Sequence, residues 1–258
     1  MTISITADDW RALARSSPWL WQAVEFEIDW ASWYWPATTG PTLHAWLRRP
    51  GDVRVEIPER GGDGRSVHLE ARGDLGPQPP DRPSTVRPDG LVLDRTLATE
   101  GDDHGLYFHN YYWLAILDPH ELADGQAWIP DDAADEDGPG HAEMVPGTDV
   151  EDVTTTQRNG RETWWARVRP TAAYQPRCSC CALLYGEIAE RMEYGGELRA
   201  HAEDPGYSYS TQWLVGLDRA TGLPVSIEAL DGSATGHTLR ILAVDDEVPD
   251  SFVRDPRR

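Results

Sequence analysis

The sequence predicts an α+β protein dominated by one antiparallel β-sheet, and three observations carry that expectation. Residues 213–217, 224–230 and 238–244 read as three successive strands, joined by Asp218-Arg219-Ala220-Thr221-Gly222 and by a loop over 231–236. In residues 21–35, Val24, Phe26, Ile28 and Trp30 alternate with Glu25, Glu27 and Asp29. Successive side chains of a strand point to opposite faces, so this alternation is that of a half-buried strand. Hairpin chemistry also recurs, at Arg49-Pro50-Gly51-Asp52 and at Asn159-Gly160.

The elements follow in order. Residues 6–15 predict a helix: Thr6 can cap it, Asp9 holds the reciprocal position, and Trp10, Leu13 and Ala14 share a face. After the long strand, residues 43–48 and 53–57 form a hairpin that 66–70 extends. Residues 74–90 contain Pro77, Pro79, Pro80, Pro83 and Pro88, too many for a central strand, and predict an exposed loop, with a domain linker as the alternative. Residues 107–117 are apolar and aromatic. Asp118-Pro119-His120-Glu121 reads as a helix start, with Asp118 as cap and Glu121 reaching back. Residues 131–140 form an acidic loop, 150–156 and 162–169 a hairpin, and 182–194 a helix.

In the closing meander Val225, Ile227 and Ala229 share a face, as do Leu239, Ile241 and Ala243. Asp218 can accept a hydrogen bond from the backbone two residues on, Gly222 can take positive φ, and Pro224 suits a strand start. This segment, Leu217-Asp218-Arg219-Ala220-Thr221-Gly222-Leu223-Pro224, then a strand, Asp231-Gly232 and another strand, resembles the ending of LolA-like lipoprotein-carrier domains. The resemblance runs over residues 213–252 and extends to 43–69. It implies a curved antiparallel half-barrel wrapped around a few helices, with an apolar cavity between them, here as a single domain over 1–258. The chain is expected to be a cytoplasmic member of actinobacterial type, since residues 1–9 carry neither a basic nor an apolar leader region.

Composition narrows the partners. The chain has 23 basic and 44 acidic residues, a net charge of −21, and no lysine. Arginine in place of lysine, with only Asn110 and Asn159 as asparagines, points to a GC-rich bacterial genome. Such acidity argues against nucleic acid and anionic membrane surfaces, which need Lys/Arg-rich faces. No apolar run reaches the roughly 18 residues of a membrane span.

The chemistry-bearing residues are few. Cys178, Cys180 and Cys181 are the only cysteines. Cys178 and Cys181 have the two-residue spacing that lets two thiolates reach one zinc ion; the plainer account is small residues packing at a helix start. His141-Ala142-Glu143 with Pro176-Arg177-Cys178-Ser179-Cys180-Cys181 resembles the zinc deaminase signature. That resemblance implies His141, Cys178 and Cys181 as ligands and Glu143 as acid/base, although Arg177 stands between Pro176 and Cys178 where the signature has no residue. A calcium loop with Gly138 at its sixth position would put Ala133 at the first and Met144 at the twelfth, where ligands are needed, which excludes it. No G-x-S-x-G, H-E-x-x-H or phosphate-binding glycine loop is present.

Twelve tryptophans are the broader hint. Trp21, Trp30, Trp33, Tyr111, Trp113 and Trp165 are the expected lining of an apolar cavity; the alternative is that they fill the core. The leading expectation is a non-catalytic scaffold holding a lipid-like ligand or a partner segment. A zinc-dependent enzyme and an acidic inhibitor-type module for a basic protein are the alternatives.

Overall fold

The computed structural model describes residues 5–30, 42–58, 64–71, 85–95, 106, 108, 110–130, 140–234, 236–247, 249 and 252. Helix α1 (Ala7–Ser16) leads through a 3₁₀ turn, Ser17–Trp19, into strands β1 (Ala23–Trp30), β2 (Thr42–Arg48), β3 (Asp52–Pro58) and β4 (Arg65–Ala71). A small pair, β5 (Thr85–Val86) and β6 (Val92–Asp94), precedes helix α2 (Tyr111–Leu117) and a second 3₁₀ turn, His120–Leu122. Strands β7 (Asp124–Pro130), β8 (Gly140–Pro146), β9 (Thr148–Arg158) and β10 (Arg161–Pro170) follow. After a 3₁₀ turn at Ser179–Cys181 come α3 (Glu187–Glu193) and α4 (Ala200–Glu203). Strands β11 (Trp213–Asp218), β12 (Pro224–Ala229) and β13 (His237–Val244) close the chain.

Nine strands make one open antiparallel sheet in the order β4-β3-β2-β1-β13-β12-β11-β10-β9. The first and last of its strands, β1 and β13, pair at its middle, so the N-terminal and C-terminal meanders share one surface. Alternation then produces a continuous apolar stripe. Val55, Ala45, Phe26 and Ile241 stand in register from β3 to β13, and Ile227, Val215 and Ala166 continue from β12 to β10. All seven are buried.

Helices α1 and α2 cover that stripe. The Thr6 hydroxyl accepts from the Asp9 amide at 3.1 Å while the Asp9 carboxylate accepts from the Thr6 amide at 2.9 Å, the expected reciprocal cap. Trp10 and Leu13 are fully buried, and the Trp10 indole donates to the Trp164 carbonyl at 3.2 Å, fixing α1 over β10. From α2, Trp113 packs against Phe26 and Phe108, with ring centroids 5.4 and 5.0 Å away.

The predicted hairpins and closing meander are all present. Asn159 and Gly160 turn β9 into β10 with φ of 51° and 77°. Gly222 has φ of 69°, and a Cβ there would meet the Leu13 carbonyl at 2.7 Å. The meander's turn is therefore pressed against α1, and glycine is required for both reasons.

Two expectations are corrected. Asp118 caps no helix: it ends α2, and only the 3₁₀ turn His120–Leu122 follows, because its carboxylate is bound by Arg95 and Arg177. The helix predicted over 182–194 is confined to Glu187–Glu193, since the Leu183 and Leu184 amides are drawn to the Glu121 carboxylate and the Tyr174 hydroxyl. The β7–β8 hairpin was not anticipated. Within the predicted Pro-rich loop, Thr85–Val86 pairs with Val92–Asp94, while residues 74–84 lie outside the described residues. Residues 131–139 of the acidic loop also lie outside them.

Candidate metal centre

Cys178, Cys180 and Cys181 sit between β10 and α3, on the connection that follows Pro170 and turns through Ser179–Cys181. The turn is tight because the Cys181 amide donates to the Cys178 carbonyl at 3.1 Å. That closure points all three side chains to one spot. The sulfur separations are 3.1 Å for Cys178–Cys180, and 3.4 Å for both Cys180–Cys181 and Cys178–Cys181. None is in a disulfide. Cys178 and Cys181 are buried and Cys180 is half-buried, so the group has one accessible side.

One carboxylate organises the loop. Glu121, fully buried, accepts from the Tyr174 hydroxyl at 2.6 Å, the Arg177 amide at 3.0 Å and the Leu183 amide at 2.8 Å. Residues on both sides of the cysteine turn are therefore tied to the same side chain. Burial keeps the Glu121 carboxyl above the usual carboxylate range, against the three donors that favour its charged form. Beside it, Asp118 accepts from the Arg177 guanidinium at 2.8 Å and from both Arg95 Nη atoms at 2.6 and 2.9 Å. Burial works to raise Asp118, but Arg95, His120 and Arg177 outweigh it and hold it well below the ordinary range. Glu193 on α3 accepts from the Ser179 hydroxyl at 2.6 Å.

Two of the thiols, Cys180 and Cys181, are held in their neutral form. Burial, with the Cys178 sulfur and the Glu193 charge, pushes Cys180 up to about 11 against the opposing contact with Cys181. The contact with Cys178, then burial, pushes Cys181 up further. Unmetallated, these cysteines are weak nucleophiles, because the thiolate is the reactive species. A metal ion reverses that preference by replacing the protons.

The other predicted site residues are dispersed. His141 and Glu143 are exposed on β8, and among the described residues the ligand group contains the three cysteines without them. Trp21 and Trp113 are buried in the core and Tyr111 is half-buried. Trp165 points away from that core. It stands on the outer face, opposite to Trp164, lies over Gly216 and donates to the Thr156 hydroxyl at 2.9 Å. The register explains it: Trp164 pairs with inward-facing Leu217, and a one-residue step reverses the face. Trp30 lies on β1, and Trp33 lies outside the described residues. Cys180 joins the group without having been among the expected ligands, although confinement of every cysteine to four positions was signal enough. Asp118, Glu121 and Arg177 carried no local signal.

Among the described residues no helix is long and apolar enough to cross a membrane. No family model, curated protein or solved structure matches this chain.

Proposed function

We propose that this chain is a non-catalytic binding protein, a LolA-like scaffold that holds a soft metal ion at Cys178, Cys180 and Cys181. The observation that carries the reading is the convergence of all three cysteine sulfurs within 4.8 Å of one another. Thiolates favour soft and borderline ions such as zinc over magnesium or calcium. The LolA-like part is supported by element order: a capped N-terminal helix, a first meander, intervening helices and a closing meander, with α1 and α2 on one face of an open sheet. Analysis of reduced protein, titrated with zinc or cadmium, tests the function. One tightly held ion per chain, lost in Cys178→Ser, is expected; reduced wild-type protein that retains no ion through desalting overturns it.

An apolar ligand is the second reading, and a groove of about 290 Å³ is its candidate place, lined by Val24, Trp46, Ala243 and Phe252 together with the acidic residues Glu25, Asp245, Asp246 and Glu247. It differs in place from the cavity expected between sheet and helices. Native mass spectrometry distinguishes the readings: a co-purifying lipid-like mass that survives Cys178→Ser but is lost in Trp46→Ser supports the groove.

A further inference from the structure

We infer that the centre is built for a trivalent thiophilic ion bound by three thiolates alone, for which As(III), supplied as arsenite, is the probe. The inference rests on the metal-binding reading and specifies its ion. Spacing is the first argument. With metal–sulfur bonds of about 2.3 Å, a planar three-coordinate ion needs sulfurs about 4.0 Å apart and a tetrahedral ion about 3.8 Å. An ion whose lone pair compresses its bond angles towards 90° brings the same sulfurs to about 3.3 Å. The three separations here are 3.1, 3.4 and 3.4 Å. The ion then sits above the sulfur triangle, with its lone pair directed away from it.

Charge is the second argument. Three thiolates neutralise a trivalent ion, whereas they leave a divalent ion one negative charge in excess and a monovalent ion two. Cys178 and Cys181 are buried, and a buried net charge is costly without a paired counter-ion. The adjacent Arg177 guanidinium is engaged with Asp118 at 2.8 Å, and Glu193 adds negative charge next to Ser179. A neutral complex suits these surroundings. The third argument is coordination number. Among the described residues no histidine, aspartate or glutamate joins the three sulfurs, and three bonds complete a lone-pair ion where a zinc ion needs a fourth.

The binding step balances without an oxidant or reductant. Arsenite, As(OH)3, condenses with three thiols; three As–S bonds form, three As–O bonds break, and each thiol proton leaves with a hydroxide as water. The loop is preset for this, since Glu121 ties residues 174, 177 and 183.

Reduced full-length protein is titrated with arsenite, and separately loaded with zinc and challenged with arsenite. Native mass and counting of alkylatable thiols are the readouts. Expected are one arsenic per chain, protection of all three thiols, displacement of zinc by equimolar arsenite, and at least tenfold weaker arsenite binding in each single Cys→Ser variant. Zinc that binds and resists displacement, or arsenite that protects only two thiols, overturns the ion class and leaves the metal reading standing. Binding of neither ion overturns both. The thiol count on wild-type protein decides this even where a variant folds poorly.

Discussion

Asp118→Asn is the sharpest test of the node beneath the cysteine loop. The Asp118 side chain is 5% exposed and is shared by Arg95 and Arg177, whose side chains are 4% and 1% exposed. Asparagine keeps the shape but removes the negative charge that both arginines contact. Breaking a buried ion pair by removing one partner costs about 3–5 kcal/mol, since the remaining charge stays buried and uncompensated. For a chain of this size that corresponds to a fall of roughly 10 °C in Tm. The assay is urea unfolding of Asp118→Asn, with Arg177→Met and the double variant completing a cycle. The double variant is expected to recover part of the loss, because Arg177 then no longer needs a partner. The sign with pH is set by the depressed Asp118 pKa. Its stabilisation is present above the unfolded value near 3.8 and is lost only as pH falls through the lower folded value, so the deficit of the variant stays level from pH 5 to 8. Arg177 adjoins Cys178, so alkylation of that buried thiol should also quicken. A cost under about 1 kcal/mol, the range of an exposed pair, would refute the reasoning.

Two further perturbations separate other contributions. Burial holds His237 neutral, with a pKa lowered to about 4, and the Tyr112 hydroxyl and the Pro224 carbonyl lie 2.9 and 2.7 Å from its two ring nitrogens. Its stabilisation is complete above 6.5 and declines as pH falls towards 4, by about 3 kcal/mol; unfolding of His237→Gln at pH 7 and 4.5 should lack that slope, and parallel pH profiles would contradict it. Gly160 and Gly222 share positive φ, but only Gly222 is crowded, by the Leu13 carbonyl. Gly160→Ala should therefore cost about 1–2 kcal/mol and Gly222→Ala about 2–4 kcal/mol, read from denaturant midpoints; equal costs would dismiss the clash with α1.

The sheet was legible because its information is local. Alternation in residues 23–30, Asn159-Gly160 and the Asp218–Pro224 turn each specify face or geometry within a few residues. The turn chemistry differs only in detail: Asp218 accepts from the Thr221 amide three residues on, at 2.9 Å, rather than two. Capping was legible at Thr6 and Asp9, where the Asp9 carboxylate keeps Oδ2 for the cap and accepts from Arg87 through Oδ1. The same reasoning failed at Asp118, because a capping carboxylate and a buried counter-ion look alike in sequence. Arg95 and Arg177 lie 23 and 59 residues away from it. Trp164 and Trp165 show the limit of composition: neighbouring identical residues take opposite faces, and only register decides which one enters the core.

The centre lies off the sheet, and the packing accounts for that. The apolar stripe from β3 to β10 is covered by α1 and α2, leaving its inward side chains committed to stability. Chemistry needs side chains that converge without being consumed by packing, which a loop supplies if something rigid holds it. Here the rigid part is the turn after α2. Asp118 and Glu121 anchor Arg177 and Leu183, while Ser17 at the end of α1 donates to the Leu117 carbonyl at 3.1 Å. The α1 end in turn carries Gly222 of the closing meander. The chain of contact thus runs from the meander turn through α1 to the Asp118–Glu121 turn and then to the three cysteines. A loop tied in this way gives up little conformational entropy when an ion binds, so more of the bond energy of three thiolates is available as affinity.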